Sequence, residues 1–262
     1  MSITLSVVIV TYNAEPVIAR CIENLLAVVP FGTEIIVVDN NSADRTLSLL
    51  HTFPGISIIS NLTNRGYGTA CNQGFRKSTG MVVFFMNPDA FPEPLVIDRL
   101  CIYLKEHPRT GACSGKLVDR DHRLQYSCRT VPTVSSLLGR LRDLITDHPY
   151  GRLSEHYLMA TVQHDKTMPV AWLTGSFLAV SRHAFEEVGG FDEHYFLYCE
   201  DMDLCVRMAQ AGYRVEYVPE AGETVHYHQR LSMKSFGARE TYYHFLSMIR
   251  FYRKRLPRPL IR

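Results

Sequence analysis

Apolar residues fall in short continuous runs separated by stretches of helical periodicity, and this alternation predicts the layout of the first half of the chain. Leu5-Ser-Val-Val-Ile-Val10 reads as a strand, after which Ile18, Ile22, Leu25 and Leu26 recur on one helical face. A second strand, Ile35 to Val38, ends at Asp39. Asp44 is placed to cap a helix over Arg45 to Leu50. A strand at Ile56 to Ser60, a glycine-bearing turn and a helix near Ala70 to Lys77 follow. The fourth strand, Met81 to Met86, stops at Asn87-Pro88-Asp89, and a helix over Leu95 to Glu106 leads to a strand near Ala112 to Leu117.

The pattern then changes. From Val131 to Thr167 the chain is rich in His, Pro and Arg and loses clear periodicity, which suits a mobile or acceptor-side insertion. Order returns at Val170 to Val180. After Gly189-Gly-Phe-Asp-Glu193 comes a helix from about Glu200 to Ala211, closed by Gly212.

Continuous Val, Ile and Phe runs are what strands covered on both faces look like, so the expected fold is α/β with a mainly parallel sheet between helices. Ligands of such sheets bind at the carboxyl ends of the strands. Three polar clusters sit there: Thr11-Tyr12-Asn13, Asp39-Asn40-Asn41 and Asn87-Pro88-Asp89. One ligand touching all three is the economical expectation.

Composition narrows the partners. With 262 residues, 46% hydrophobic and 21% charged, the chain can bury one substantial core. A net charge of +2 gives no field that would draw nucleic acid. Seven cysteines without a CxxC pair suit buried thiols in a reducing cytoplasm. The N-terminus lacks a charged leader, and no run approaches the roughly 20 apolar residues of a membrane span, so membrane contact is expected only at the surface.

Several constellations could carry chemistry. Asp89 is presented from a strand end, where a carboxylate can hold a hard divalent cation or simply form a turn. Glu200 and Asp201, with Asp203 beyond, open a helix. They could be dipole partners, or a base kept ionised at the edge of a pocket formed by Phe196-Leu-Tyr-Cys199. His226 and His228 alternate along a strand and could ligate metal, contact phosphate, or do neither. Asn64-Arg-Gly-Tyr-Gly68 hints at a dinucleotide turn, but Cys71 stands where a third glycine belongs, which argues against an oxidoreductase.

Together these pieces resemble the inverting family 2 glycosyltransferases of the GT-A fold, from Leu5 to about Ser232. The matching segments are Val7 to Asn13, Ile35 to Ser42, Asn64 to Gly68 with Asn72 and Gly74, Asn87-Pro-Asp89 and Thr174-Gly-Ser176. Val188 to Glu193, Tyr198 to Leu204, Gly212 and Val218-Pro219 complete the set. The resemblance implies a GT-A domain over 1–230 and a helical tail over 231–262. It implies Thr11, Tyr12, Asn13, Asp39, Gly66, Asn72, Asn87 and Asp89 as donor-binding residues. By the same resemblance Trp172, Gly175 and Asp192 would bind the acceptor. Asp201 would be the general base, assisted by Glu200, with Asp89 and His226 or His228 holding Mg²⁺ or Mn²⁺. One carboxylate of the family's usual acidic pair is replaced by Asn87, which lowers the expected metal affinity. The Gln-x-x-Arg-Trp motif of processive synthases is absent, so one sugar per acceptor is expected.

Within the family, Asn-Pro-Asp with Cys-Glu-Asp-Met-Asp-Leu-Cys looks like bacterial rhamnosyltransferases of O-antigen and cell-wall assembly, whose donor is dTDP-L-rhamnose. UDP- or GDP-sugar donors, a nucleotidyltransferase and an inert nucleotide-sugar-binding scaffold are the alternatives. The acceptor would be a glycan or a polyprenyl-linked sugar. In the tail, nine Arg and Lys residues from Arg230 to Arg262 face only Glu240 and interleave with Phe236, Tyr242, Tyr243, Phe245, Leu246, Ile249, Phe251 and Tyr252. Such a helix suits an anionic membrane surface, here the inner face of the cytoplasmic membrane, or packs its aromatics on the domain.

Overall fold

The computed structural model describes residues 4–133, 152–227 and 239–255. Strands β1 (Leu5–Thr11), β2 (Glu34–Asp39), β3 (Ile56–Ser60) and β4 (Val82–Met86) alternate with helices α1 (Ile18–Val28), α2 (Thr46–Leu50) and α3 (Tyr67–Lys77). After β5 (Ala90–Pro92) come α4 (Val96–Glu106), β6 (Thr110–Ser114), β7 (Lys116–Val118) and β8 (Cys128–Arg129). Helix α5 (Arg152–Leu158), β9 (Met168–Pro169), β10 (Trp172–Leu173), β11 (Phe177–Ser181) and α6 (Arg182–Glu187) lead to α7 (Glu200–Gln210). Finally come β12 (Arg214–Tyr217), β13 (Glu223–His226) and α8 (Arg239–Arg255).

Among the described residues the main sheet has eight strands in the order β3-β2-β1-β4-β11-β6-β12-β9. β1 to β4 are parallel, and β12 is parallel to β6; β11 and β9 run against their neighbours. Alternate residues of each strand feed two cores, because successive side chains leave a strand on opposite faces. Val8, Val10, Ile36, Val38 and Phe85 face α3, α7 and α8, while Val7, Ile9, Ile35, Val37 and Phe84 face α1 and α4. All seven cysteines are buried free thiols.

Two features were not foreseen in detail. The single strand expected near Ala112 to Leu117 is broken at Gly115. β6 stays in the main sheet, whereas β7 joins a small sheet ordered β5-β13-β7. Val170 to Val180 likewise splits, so that β10 pairs with β8 and β11 returns to the main sheet. The 174–176 corner between them is a structural ruler along the site.

Helix α8 packs on the domain. Phe251 is fully buried in the core that holds Phe85 and Leu204. Its basic residues turn inward: Lys254 Nζ lies 3.0 Å from Asp192 and from Asp203, and Arg255 lies 3.5 Å from Asp203. Asp203 has no exposed side-chain surface and also takes the Arg207 guanidinium at 2.7 Å. A buried carboxylate is tolerated only when paired in this way. Tail residues 231–238 and 256–262 lie outside the described residues.

Candidate active site

Parallel pairing puts the carboxyl ends of β1, β2 and β4 on one edge, with Thr11 beside Asp39. Thr11 Oγ1 donates to Asp39 Oδ1 at 3.1 Å, and Ser42 holds the same carboxylate through its hydroxyl at 2.5 Å and its N–H at 3.1 Å. Asp39 is thus buried and fixed, while Tyr12 beside it is half exposed. Asn13 adopts a left-handed conformation, φ 51°, and its side-chain oxygen accepts the Ala43 N–H at 2.8 Å, tying the two strand ends together.

Asn40 is a hub that sequence reasoning placed in the cluster without a role. Its buried carboxamide donates to Asn64 and to the Gly66 carbonyl and accepts from Asn61 and the Arg65 N–H. Gly66 follows with φ 84°, and a Cβ there would stand 2.4 Å from the Phe196 carbonyl oxygen. Only glycine allows that backbone approach, through which Tyr67 N–H donates to Phe196 O. Gly66 therefore couples the Asn40-anchored turn to the loop before α7.

Asn72 has a different place from the donor contact expected of it. Its oxygen accepts the Phe191 N–H at 3.0 Å, and its nitrogen donates to Phe191 O and Glu193. The carboxamide is spent pinning the Gly189–Glu193 turn. Asp192, expected at the acceptor, is spent likewise: it accepts the His194 N–H and holds Lys254 and Arg250 of α8. Against the upward push of burial, the His194 N–H bond and the Lys254 ammonium hold its carboxyl well below the usual range.

At the β4 end, antiparallel pairing of β13 with β5 sets His226 opposite Ala90, so the buried imidazole meets Asp89, with Nε2 3.3 Å from Oδ1. Gln125 fixes the ring. Its amide nitrogen donates to the His226 carbonyl at 2.7 Å, which leaves its oxygen to accept from Nδ1 at 2.9 Å. A carbonyl can only accept, so the clamp puts a proton on Nδ1 and leaves Nε2 facing Asp89. A ring nitrogen and a carboxylate oxygen side by side are the donor types that hold a divalent cation, with Gln125 behind the ring. His228 lies outside the described residues. Elsewhere, Glu93, His122 and Glu223 bring ligand atoms within 4.8 Å of one another, although Lys116 already sits 2.8 Å from Glu223.

The acidic pair is delivered by a strained turn. Tyr198 and Cys199 both have positive φ, 68° and 64°, a conformation costing roughly 1–2 kcal/mol for each non-glycine residue. Helix α8 holds the turn from outside: Tyr243 stacks on Phe196, Ser247 donates to Leu197 O at 2.8 Å, His244 meets Tyr198 edge-on, and Met248 packs on Cys199. Asp201 Oδ2 accepts the Gly175 N–H at 2.9 Å, and Oδ1 accepts the Met202 N–H at 2.8 Å. Tyr67 donates to the Gly175 carbonyl at 2.7 Å, so the corner that holds Asp201 is itself held.

Burial raises the Glu200 carboxyl well above its ordinary value, and the neighbouring Asp201 charge raises it further. Asp201 is also raised by burial, but the two N–H bonds and the Arg129 charge oppose this. Glu200 has only its own backbone N–H against this, and its Oε2 is buried without a hydrogen-bond partner among the described residues. The arrangement therefore assigns the shared charge to Asp201 and a proton to Glu200.

A cavity of about 220 Å³ joins these groups. Asn87, His226, Gly175, Trp172, Glu200 and Asp201 all line it. Thr11, Tyr12, Asn13, Asp39, Gly66, Asn72, Asp89 and Asp192 do not. Arg129, Gln125 and Tyr67 line it too and were not assigned there: the first two stand outside any motif, and Tyr67 lies within the Asn64–Gly68 turn but meets its partner, Gly175, far along the chain.

A sheet of this topology, with the Glu200-Asp201 pair and His226 lining one cavity at the strand ends, is that of a glycosyltransferase of the GT-A type. The chain belongs to Glycosyl transferase family 2, whose sequence profile matches residues 6–189; residues 155–230 also match the N-terminal domain of galactosyltransferase. It is 32% identical over 240 residues to the N-acetylglucosaminyl-diphospho-decaprenol L-rhamnosyltransferase of Mycobacterium tuberculosis, covering 87% of this chain and 77% of that protein. It is 30% identical over 262 residues to rhamnosyltransferase WbbL of Escherichia coli, covering 95% and 93%. The structure resembles that of the mannosyltransferase PcManGT from Pyrobaculum calidifontis in complex with GDP-Man and Mn²⁺. That TM-score is 0.63 at 22% identity, over 95% of this chain and 65% of the other. GalNAc-T7 with UDP, GalNAc and Mn²⁺ gives 0.64 at 16% identity, over 86% and 44%. The chain thus spans less than two thirds of these two solved structures.

The Glu200 environment makes stability depend on pH. Above the ordinary value of 4.5 the unfolded chain releases a proton that the folded state retains, so stability falls as pH rises toward the raised value. Glu200→Gln removes that proton from the comparison. Denaturation midpoints from about pH 5 to 8 should decline in the wild type and flatten in the variant; parallel profiles would contradict the assignment.

Proposed function

We propose that this chain is an inverting rhamnosyltransferase that moves one L-rhamnose from dTDP-L-rhamnose onto a hydroxyl of a lipid-linked sugar acceptor in polysaccharide assembly. The observation that carries the chemistry is Asp201, half-buried, tethered by two backbone N–H groups and open to the same cavity as His226 and Asn87. The donor sugar and the lipid-linked acceptor rest on the two rhamnosyltransferase relatives.

As the acceptor hydroxyl attacks the anomeric carbon, Asp201 takes its proton, and Glu200, protonated, leaves Asp201 as the charged member of the pair. Asp89 and His226 would hold Mg²⁺ or Mn²⁺, which when bound neutralises charge on the departing diphosphate. Thr11, Tyr12 and Asp39, at the ends of β1 and β2, would receive the nucleoside. Trp172 would line the acceptor side. Asp201→Asn should lower turnover by at least about 10²-fold while donor affinity stays within a few-fold. Release of dTDP and donor titration calorimetry check the two halves, and near-normal turnover would remove Asp201 from the role.

A peripheral place on an anionic membrane is supported by the outer face of α8. With its cations partly turned inward, that helix leaves Tyr242, Phe245, Leu246 and Ile249 exposed at i, i+3, i+4 and i+7, an apolar stripe beside exposed Arg253. No described helix is long and apolar enough to cross a membrane. Replacing Phe245 and Ile249 together by Glu should release the protein from anionic liposomes at moderate salt without lowering its melting temperature. Equal co-sedimentation of the two proteins would show that the stripe does not touch lipid.

A further inference from the structure

Among the described residues lining the cavity, the only Arg or Lys is Arg129. Its guanidinium lies 5.0 Å from the Trp172 ring and 5.6 Å from the Tyr157 ring. Nε donates to the Tyr126 carbonyl at 3.2 Å, and Nη1 reaches the Tyr157 hydroxyl at 3.4 Å. Stacking and one good hydrogen bond fix the plane of the fork, while Nη2 has no partner among the described residues. A guanidinium held flat, with donors left over, is built to receive a phosphate.

Its position along the site says which phosphate. Asn87 N–H donates to Ser176 O, Asp201 is tethered to Gly175 N, and Arg129 pairs with Trp172. Ser176, Gly175 and Trp172 follow one another along one run of chain, so the base stands between the β4 end, where Asp89 and His226 meet, and Arg129. The segment 125–129, paired alongside that run, gives the same order. Gln125 clamps His226, and Arg129 follows four residues later, up to about 13 Å away at ~3.3 Å per extended residue. A donor pyrophosphate at Asp89 and His226 is served at the far end. Since the base must touch the acceptor hydroxyl, what lies beyond it belongs to the acceptor.

We propose that Arg129, stacked on Trp172, binds the phosphate or diphosphate of an anionic acceptor and so selects sugars carried on a lipid diphosphate. The proposal rests on the transferase reading above and names the acceptor feature recognised by that same site. Arg129 also lowers the Asp201 carboxyl, a through-space effect that acts on every acceptor alike. Phosphate recognition, by contrast, depends on the ligand carrying the anion.

The test uses direct binding, so it does not depend on turnover. Geranyl diphosphate, inorganic pyrophosphate and geraniol are titrated calorimetrically into metal-free full-length protein and into Arg129→Met, which keeps the stem over Trp172 but loses the charge. Wild type should bind geranyl diphosphate more tightly than pyrophosphate and far more tightly than geraniol. The variant should lose at least about 10-fold for both anions while binding dTDP with Mn²⁺ within two-fold of wild type, which also shows that it is folded. Absence of geranyl diphosphate binding by wild type, equal binding by the variant, or an equal loss for dTDP would each overturn the proposal. Failure of the transferase reading registers separately, as no dTDP release by wild type from dTDP-L-rhamnose with any acceptor.

Discussion

The structure depends on getting two adjacent carboxyl groups into one cavity at the start of a helix. Burial penalises both charges, and the like charges penalise each other, so the pair persists only because one member is stabilised and the other gives up its charge. Asp201 has the Gly175 and Met202 N–H groups; Glu200 has neither. The consecutive left-handed residues Tyr198 and Cys199 aim the pair inward, and that strain is opposed by contacts from Tyr243, His244, Ser247 and Met248. Helix α8 is in this sense a brace for the catalytic loop.

That dual use explains the tail. A helix so rich in Arg and Lys invites a purely electrostatic reading, yet Lys254 and Arg255 reach Asp203, while Lys254 and Arg250 reach Asp192. Those partners lie far away in sequence, and nothing local announces them. The aromatic residues divide in turn, with Phe251 buried against the sheet and Phe245 facing outward. The helix thus presents one face to the domain and another, apolar face outward.

The sheet was legible because β1, β2 and β4 are covered on both sides and so read as unbroken apolar runs bounded by polar ends. The β8 and β10 strands were not, since two residues each carry no periodicity, and their pairing is what places Arg129 beside Trp172. Asp89 and Glu200-Asp201 stood out because acids at strand and helix ends are few. Polar motif residues were harder: Asn72 and Asp192 belong to the recognisable pattern, but the structure uses their side chains to pin a turn and a helix. Gln125 carried no signal. Its role exists only where the small sheet brings His226 to it.

The account assigns one charged base, one cation seat and a second cavity carboxyl, Glu200, that holds a proton and so is not a nucleophile. That machinery carries out a single displacement, so its central claim is about stereochemistry as much as residues. The most direct test is the anomeric configuration of the glycosidic bond in the product, read by NMR against that of the sugar nucleotide. The account requires one inversion, and a product that retains the donor configuration would contradict it.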